Sequence, residues 1–523
     1  MQITVDVKGK KLPLQNFWNN IHFHPTDAVE DTWGQRILDI IASKNMAQYV
    51  RLYTMFEDIV TRDYSGRLHF DFTEQDRRLD YMVGKGFKLL LCFNFMPQCM
   101  AAEPNILSGP RYKNKRFCRS EPSDYAEWSE VCAEQVRHLI ERYGIEEVSR
   151  WYFHCWNEPD LGFWLDDGHY YDCEKKGNTR KLEEYCKLYD YFAEGVKSVS
   201  PRLRIGGPSC GHAKSFFEGV MKHVAMGKNN ATGGTGAPID FVSLHCYSSI
   251  SQDLKDPMRY MIVPENIVLQ YNHYRSIMAK YDLSEKEVVV DEWGAAAEGY
   301  LGIADDRRMV FRETEYSSAF YAKMINLFIV NKFRPPERIM LCLSGQAKSN
   351  IDFDGRRTLF TVSGYRKPIC NAFILAAKRG GFLFEKNCVL PENVGIIPTI
   401  ADNGRIAVML YNFRAEISTR SDTVKIKLLI EGLFGKYIAR HYRIDALSGN
   451  AFSEFLRLGS PEHPQPFNCF QIEHAGNNLL YYPEEKLEGI SYSEDIVLPH
   501  NAVSLIELTP DFLTPDDLRK KRK

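Results

Sequence analysis

The chain has 523 residues, more than one hydrophobic core usually accommodates, so a large domain with a smaller one is expected. Charged residues make up 26% and the formal net charge is −2, which argues against nucleic acid or an anionic membrane as a partner. No stretch approaches the length of a membrane span, and the start lacks the apolar segment of a secretion signal. The 13 cysteines contain no CxxC pair. We interpret them as buried free thiols and expect a cytoplasmic location.

Residues 17–379 alternate short β-rich runs with segments of helical periodicity, which is typical of a parallel α/β fold. Eight strands are predicted, at residues 17–23, 47–54, 87–95, 150–156, 203–207, 241–247, 287–293 and 338–344. Eight strand–helix units are the number that a closed (β/α)₈ TIM barrel requires. The alternative is a doubly wound open sheet. That fold favours a glycine-rich turn after the first strand, and the sequence has none there.

One helix of this region is predicted over residues 123–143, with Ser123 as its N-cap after a proline. Its apolar face is expected to contain Ala126, Val131, Val136 and Leu139.

The pattern changes near residue 380. Runs such as IAVMLYNF, TVKIKLLIEG and YIARHYRID alternate apolar and polar residues, with turn signals between them. This alternation predicts a C-terminal antiparallel β-sandwich over residues 380–523. The start of the chain, residues 1–16, alternates likewise and is expected to add a strand to the sandwich. The predicted catalytic barrel then occupies residues 17–379.

Two carboxylates fall at the C-terminal ends of predicted barrel strands, where such barrels carry their reactive side chains. Glu158 follows strand four and Glu292 ends strand seven, and a proline or glycine follows closely in each case. A closed barrel would bring the two together across its mouth. Cleavage of a glycosidic bond needs such a pair, one to protonate the leaving oxygen and one to stabilise or attack the sugar carbon. Alternatively, either glutamate could cap a helix or form an ion pair.

The run ERYGIEEVSRWYFHCWNEPDLGFW resembles glycoside hydrolase family 39, a family of retaining clan A barrels that includes β-xylosidases and α-L-iduronidases. The similarity continues through YVRLYTMFED, LLLCFNFMP, RLRIGGPSCGHAKSFFEGV, DFVSLHCYS and VVVDEWGA, and covers about residues 17–379. The resemblance implies an O-glycosyl hydrolase that acts by double displacement. Glu158 would be the general acid/base and Glu292 the nucleophile.

The resemblance also implies roles for neighbouring side chains. Asn157 would hydrogen-bond the sugar 2-hydroxyl, and His245 and Tyr247 would face the sugar in the −1 subsite. The Tyr247 hydroxyl would donate to Glu292, which Arg51 would also steady. Without the resemblance, His245 is interpreted as a core histidine and Arg51 as a partner in an ordinary ion pair.

The sequence departs from the family pattern at two places. Family xylosidases carry a histidine shortly after the strand-two arginine, where this chain has Tyr53. They also have a tryptophan at the end of strand eight, where this chain reads MLCLSGQ with no aromatic residue. Ser344 and Gln346 could supply hydrogen bonds there instead. Tyr53 and Trp293 are expected among the substrate-binding residues of a rebuilt −1 pocket.

The substrate expected from this pattern is a glycoside or oligosaccharide that contains a pentose or a uronate, cleaved by exo action in the manner of a β-xylosidase. An arabinosidase or an endo-acting hydrolase of an unusual glycan is the alternative within the same chemistry. A non-catalytic carbohydrate-binding barrel is the alternative of another class, although it would be expected to lose one carboxylate. A homo-oligomer is compatible with the sequence.

No cofactor or metal is expected. The loop at 350–355 alternates aspartates but lacks the remaining ligand positions of a calcium loop, which favours an ordinary turn. The stretch Gly206–Pro208 lacks the spacing and the lysine of a phosphate-binding loop.

Overall fold

The computed structural model describes residues 1–23, 32–108, 116–165, 179–252, 260–299, 301–343, 350–385, 389–417 and 422–511. Its first fourteen strands are β1 (Gln2–Asp6), β2 (Lys11–Pro13), β3 (Asn20–His22), β4 (Tyr49–Tyr53), β5 (Val60–Arg62), β6 (Leu68–Phe70), β7 (Lys88–Phe93), β8 (Tyr152–Cys155), β9 (Arg204–Cys210), β10 (Phe241–Tyr247), β11 (Ile250–Gln252), β12 (Tyr260–Ile262), β13 (Glu287–Gly294) and β14 (Arg338–Cys342). The later strands are β15 (Phe382–Phe384), β16 (Val394–Ile400), β17 (Ile406–Asn412), β18 (Glu416–Ile417), β19 (Val424–Glu431), β20 (Lys436–Ile444), β21 (Glu485–Glu488), β22 (Ser491–Leu498) and β23 (Val503–Pro510).

The α-helices of the described residues are α1 (Thr32–Ser43), α2 (Thr73–Gly84), α3 (Tyr125–Tyr143), α4 (Ile145–Val148), α5 (Thr179–Val199), α6 (Lys214–Met226), α7 (Glu265–Ala279), α8 (Glu315–Ile329), α9 (Pro368–Ala377), α10 (Ala451–Arg457) and α11 (Pro466–Asn477). Short 3₁₀ helices occupy Phe56–Asp58 and Arg307–Glu313. Among the described residues, no helix combines the length and the apolar character needed to cross a membrane.

A closed barrel of eight parallel strands forms the centre of the fold, in the order β3-β4-β7-β8-β9-β10-β13-β14. Each of the eight predicted strands corresponds to one barrel strand, so the predicted barrel is confirmed. Buried apolar runs such as VVV in β13 and LLLC in β7 favour such strands, because a parallel strand is covered on both faces.

The α3 helix differs in detail from the prediction. It begins at Tyr125, and its N-cap is Asp124, whose carboxylate accepts from the Ala126 amide at 2.8 Å. Ser123 instead donates its hydroxyl to the Met100 carbonyl at 3.0 Å, so its assignment as N-cap is wrong. Val131, Val136 and Leu139 are buried as expected. Ala126 is exposed, because Tyr125 and Trp128 cover the core in the first turn.

Two further sheets lie mostly in the C-terminal part. The first has seven strands in the order β2-β15-β16-β17-β23-β20-β21, and the second has three in the order β1-β19-β22. Their pairings are antiparallel except that β1 pairs with β19 in parallel. One hydrophobic cluster contains side chains from both sheets: Ile3, Val5, Ile396, Val408, Leu428, Ile430, Ile496 and Ile506. The α10 and α11 helices interrupt a region for which the sequence predicted strands alone.

Six apolar or aromatic side chains from six barrel strands contact one another as one layer: Tyr49, Leu90, Tyr152, Phe241, Val289 and Met340. Strand residues two positions further along point to the same side, toward the C-terminal ends of the strands. They form a second layer of Arg51, Cys92, His154, Ser243, Asp291 and Cys342, all buried. The barrel interior therefore changes from apolar to polar one layer below its C-terminal mouth.

Candidate active site

A β-bulge in β13 brings two adjacent carboxylates to the same side of the barrel. The β10–β13 register runs Leu244↔Val290 and then His245↔Glu292, so β13 has one extra residue at this point. The β13–β14 pairing shifts between the same residues of β13. Because a bulge interrupts the normal alternation of side chains, Asp291 and Glu292 can both point inward.

Cationic and hydrogen-bonding groups surround Glu292. Its Oε1 accepts from Nη1 of Arg51 at 2.6 Å and lies 3.2 Å from Nδ1 of His22. Its Oε2 accepts from the Tyr247 hydroxyl at 2.7 Å. Burial alone would raise the pKa of Glu292, but the charge of His245, the hydrogen bond of His22 and the charge of Arg51 hold it well below its ordinary value. This carboxylate is therefore ionised at neutral pH.

Glu158 lies just beyond β8 in a constrained turn. Its φ is 45° and that of Trp156 is 61°, both in the left-handed region that costs a non-glycine residue free energy. The Glu158 amide donates to the Ser209 carbonyl at 3.1 Å. Asp160, wholly buried, accepts from the amides of residues 211–213 at 2.7–2.9 Å. These bonds hold the Glu158 turn against the loop after β9.

The electrostatic surroundings of Glu158 differ from those of Glu292. Burial raises the pKa of Glu158 above its ordinary value, and the hydrogen bond and positive charge of His245 offset that effect only in part. The negative charge of Glu292 raises it further. The two carboxyl groups thus have pKa values shifted in opposite directions, the arrangement expected of an acid and a base that work together.

His245 lies between the two glutamates and is fully buried. Its Nδ1 is 2.8 Å from Oε1 of Glu158 and 3.7 Å from Oε2 of Glu292. Atoms of these three side chains lie within 4.8 Å of one another, so a carboxylate oxygen of Glu158 is at most that far from one of Glu292. Burial alone would lower the pKa of His245, but the charges of Glu292 and Asp291 outweigh it and raise the pKa to about 10.

The family model for glycosyl hydrolases family 39 matches residues 1–475 of this chain. The chain therefore belongs to glycosyl hydrolases family 39. A β-xylosidase of Caldicellulosiruptor saccharolyticus is 27% identical over 531 residues, covering 97% of this chain and 98% of that protein. The human α-L-iduronidase is 28% identical over 262 residues, covering 46% of this chain and 35% of that protein. As a family 39 member with these relatives, the chain is an O-glycosyl hydrolase, and its substrate is a carbohydrate.

A solved structure supports the fold independently. The crystal structure of a monomeric β-xylosidase from Caulobacter crescentus superposes with a TM-score of 0.80 and covers 98% of this chain and 99% of that one, at 21% sequence identity. At 21% identity, this structural similarity is evidence for the fold alone.

Most of the site residues expected of this family 39 chain lie in one cluster. Nη2 of Arg51 donates to Oδ1 of Asn157 at 2.7 Å, which joins the strand-two arginine to the residue before Glu158. The Tyr53 ring is half-buried and lies 5.3 Å from both the His22 ring and the Arg51 guanidinium. Ser344 and Gln346 lie outside the described residues.

Two of the expected substrate-binding residues are buried in this structure. Trp293 is 1% exposed and its ring stacks on Tyr321 of α8 at 5.9 Å. After the bulge has placed Glu292 inward, the Trp293 ring packs toward α8, and its place among the substrate-binding residues stays a prediction. His245, expected to face the sugar, is fully buried and bonded to Glu158, and its role toward the sugar stays a prediction.

Three buried polar residues of the site were not predicted. His22 contacts Glu292 from β3, and His154 of β8 lies 3.6 Å from Asp291. Asp291 accepts from the Ser209 hydroxyl at 2.8 Å and contacts Nε of Arg51 at 3.0 Å. A signal for them exists in the sequence, since each is a polar residue in the C-terminal half of a barrel strand.

Two groups of side chains in the described residues have donor atoms close enough for a metal, namely His22 with Glu292 and Cys342, and Glu158 with His245 and Glu292. A cation in either place would face the Arg51 guanidinium, 2.6 Å from Glu292, or the positively charged His245. We assign neither group to a metal. In the loop at 350–355, Ser363 donates its amide and hydroxyl to Asp352, and Asp354 pairs with Arg356, which suits an ordinary turn.

Proposed function

We propose that this family 39 enzyme is a retaining glycosidase that works by double displacement, with Glu292 as nucleophile and Glu158 as acid/base. The observation that carries the proposal is the separation of at most 4.8 Å between oxygens of the two carboxyl groups. Retaining enzymes hold their carboxyl groups about 5–5.5 Å apart, whereas inverting enzymes leave about 6.5–9.5 Å for a water molecule. The short separation favours direct attack on the sugar.

The charges of the site support the same assignment of roles. Glu292, ionised and held by Arg51 and Tyr247, would attack the anomeric carbon. Glu158, with its raised pKa, would donate a proton to the leaving oxygen and then accept one from the attacking water. These two steps return the sugar with the configuration it had in the substrate.

Asn157 supports the binding of the sugar 2-hydroxyl. Its Oδ1 accepts from Arg51 at 2.7 Å, which fixes the amide so that its NH₂ group points away from the guanidinium. We propose that this NH₂ donates to the 2-hydroxyl, a bond that strengthens as charge develops in the transition state.

The test of these roles is the Glu158→Ala variant with an activated aryl glycoside. Good leaving groups need little protonation, so the glycosyl-enzyme should still form and then accumulate, because no base activates water. Added azide should restore turnover and yield a glycosyl azide of retained configuration. If azide has no effect and no glycosyl azide appears, Glu158 is not the acid/base.

For the substrate, we propose exo action on a glycan that contains a pentose or a uronate, in keeping with the β-xylosidase and α-L-iduronidase names of the relatives. The uronate has a specific observation in its favour. The Arg357 guanidinium lies 5.2 Å from the Tyr247 ring, and the negative charge of Glu292 helps to keep its pKa raised despite burial. A permanent cation beside the nucleophile could pair with a sugar carboxylate.

A panel of aryl glycosides of xylose, arabinose, iduronate, galactose and glucose separates the candidates. Because Leu343 stands where family xylosidases have an aromatic residue, we expect kcat/KM on the β-xyloside to be lower than on a larger or differently configured glycone. A uronate preference should weaken in Arg357→Gln through a higher KM. If the enzyme cleaves oligosaccharides but none of the aryl glycosides, the result would favour endo action. If the β-xyloside is the best substrate by a wide margin, the idea of a rebuilt pocket is wrong.

For the domain organisation, we propose that residues 1–16 and 380–523 form one β-sandwich against the barrel of residues 17–379. The hydrophobic cluster that contains Val5, Leu428 and Val408, from three strands of both C-terminal sheets, supports this arrangement.

A further inference from the structure

Asp291 is a buried carboxylate that the proposed double displacement does not use. It is wholly inaccessible to solvent, one layer below the catalytic pair. Its Oδ2 contacts Nε of Arg51 and accepts from the Ser209 hydroxyl, while its Oδ1 faces Nε2 of His245 at 3.7 Å. Burying an ionised carboxylate costs free energy unless its charge is compensated, so the presence of Asp291 beside Glu292 points to a role in the site.

The other side of His245 touches the acid/base. Its Nδ1 lies 2.8 Å from Oε1 of Glu158. A neutral imidazole has one N–H, so it could either donate to Glu158 or accept a proton from it, depending on the tautomer. If Nδ1 of a neutral His245 accepted a hydrogen bond from Glu158, the proton that Glu158 must give to the leaving group would point at His245 instead. A doubly protonated imidazole can only donate.

We propose that Asp291 is a positioning residue for the acid/base: its charge keeps both nitrogens of His245 protonated, so that Nδ1–H donates to Oε1 of Glu158. The catalytic proton of Glu158 is then held on Oε2, the oxygen that His245 does not occupy. This inference rests on the proposed role of Glu158 as acid/base.

The charges around His245 are consistent with this role. Glu158, Glu292 and Asp291 face it, and burial, which alone would lower its pKa, is outweighed by the last two. Burial, together with the charge of Arg51, lowers the pKa of His22 to about 4 and holds that of His154 well below its usual range. Those two histidines are therefore neutral, whereas His245 carries the positive charge.

A direct measurement uses the wild-type protein. The ¹⁵N resonances of His245 can be assigned by their loss in His245→Gln. They should show an imidazolium from about pH 6 up to about pH 9, whereas an ordinary histidine, with a pKa of roughly 6.5, loses its charge well below pH 9. This readout does not depend on any catalytic role of Glu158. A His245 that titrates near neutral pH in the wild type would overturn the proposal.

The isosteric variant Asp291→Asn tests the consequence for catalysis. His245 should lose its proton in the neutral range, and a new ionisation should appear in the pH profile of kcat/KM. At pH 8 the loss should be at least about tenfold on a phenyl glycoside of the best glycone and within about threefold on the dinitrophenyl glycoside, which needs little protonation. Equal losses on both substrates, or an unchanged profile, would overturn the proposal.

Asp190→Asn is the matched control. Asp190 is also buried and contacts a histidine, Nε2 of His223 at 2.8 Å, but it lies on α5 outside the site. Its variant should leave the form of the pH profile unchanged. If Asp291→Asn does not fold, the ¹⁵N resonances of His245 in the wild-type protein still test the proposal. A failure of Glu158→Ala to discriminate between leaving groups would instead contradict the proposed function.

Discussion

Single residues set opposite protonation states on two glutamates that lie within 4.8 Å of each other. Of the two glutamates, Glu292 is the one that Arg51 and Tyr247 contact, whereas Glu158 is bonded to His245 and otherwise buried. The ionised partner in turn disfavours a second negative charge on Glu158. One site therefore holds an ionised carboxylate and a protonated carboxyl group at the same pH.

Replacing Glu292 by glutamine removes the attacking charge with little change in shape. We expect kcat/KM to fall by about 10⁴-fold or more, because no attacking oxygen remains. The melting temperature should stay near that of the wild type. Residual activity within tenfold of the wild type would contradict the assignment of the nucleophile.

Replacing Tyr247 by phenylalanine removes the hydroxyl that donates to Oε2 of Glu292 at 2.7 Å. Loss of a hydrogen bond to the ionised form raises the pKa of Glu292. Activity requires that this group be ionised, so the acid limb of the pH profile should move to higher pH, by up to about one unit. The alkaline limb, set by Glu158, should stay in place. An acid limb that does not move would show that the hydroxyl does not stabilise the carboxylate.

The sequence was sufficient to predict the residues at the barrel mouth but not those beneath it. Glu158 and Glu292 follow apolar runs at strand ends, a pattern that can be recognised without coordinates. Asp291 was missed because, once Glu292 is taken as inward, strict alternation along β13 places its neighbour outward. The bulge that overrides this alternation depends on pairing with β10 and β14, which one strand's sequence does not encode.

At the level of secondary structure, the bulged β13 and the end of β14 shape the pocket together. A cavity of about 50 Å³ is lined by Trp293, Cys342, Leu343 and Arg357, among others, and is mostly apolar. Cys342 also lies within 4.8 Å of His22 and Glu292, so the cavity adjoins the catalytic cluster. Leu343, which directly follows β14, is smaller than the tryptophan that the family resemblance leads us to expect there, and it leaves this space open.

A tryptophan at Leu343 should fill the cavity and displace the groups around Glu292. We expect Leu343→Trp to lower kcat/KM on the best glycoside roughly tenfold, because small displacements at a reacting centre are costly. Leu343→Met, which nearly conserves volume, is the control and should stay within about threefold. Higher activity in the tryptophan variant would mean that the substrate needs a stacking surface at this position.

Elements with a strong local sequence pattern were predicted well, and elements whose formation depends on tertiary contacts were not. The eight barrel strands show buried apolar runs, so their positions follow from sequence. The α10 helix has seven residues and α11 buries only two of its twelve, and a weak local pattern gave no sign of them. The alternation in β1 indicates a strand, but its parallel pairing with β19 depends on a partner more than 400 residues away in the chain.

At the level of the whole molecule, the two ends of the chain share one hydrophobic cluster. Val5 of β1 is 2% exposed and packs in the cluster formed by the two C-terminal sheets. A charge placed there has no partner, so Val5→Asp should destabilise the protein by about 3 kcal/mol or more. Its melting temperature should fall, while kcat/KM measured well below the transition stays unchanged.

Thr4→Asp is the control for this prediction, because Thr4 is on the same strand with its side chain exposed. It should leave the melting temperature nearly unchanged. If Val5→Asp melts like the wild type, residues 1–16 do not contribute to the stability of the C-terminal sheets.

The stereochemistry of the reaction tests the central claim most directly. The first product of hydrolysis of the preferred aryl glycoside can be observed by ¹H NMR before it mutarotates. Two displacements at the same carbon, by Glu292 and then by water activated by Glu158, predict that the product first appears with the anomeric configuration of the substrate. A product that first appears with the opposite configuration would show a single displacement by water and would contradict the assignment of Glu292 as a nucleophile.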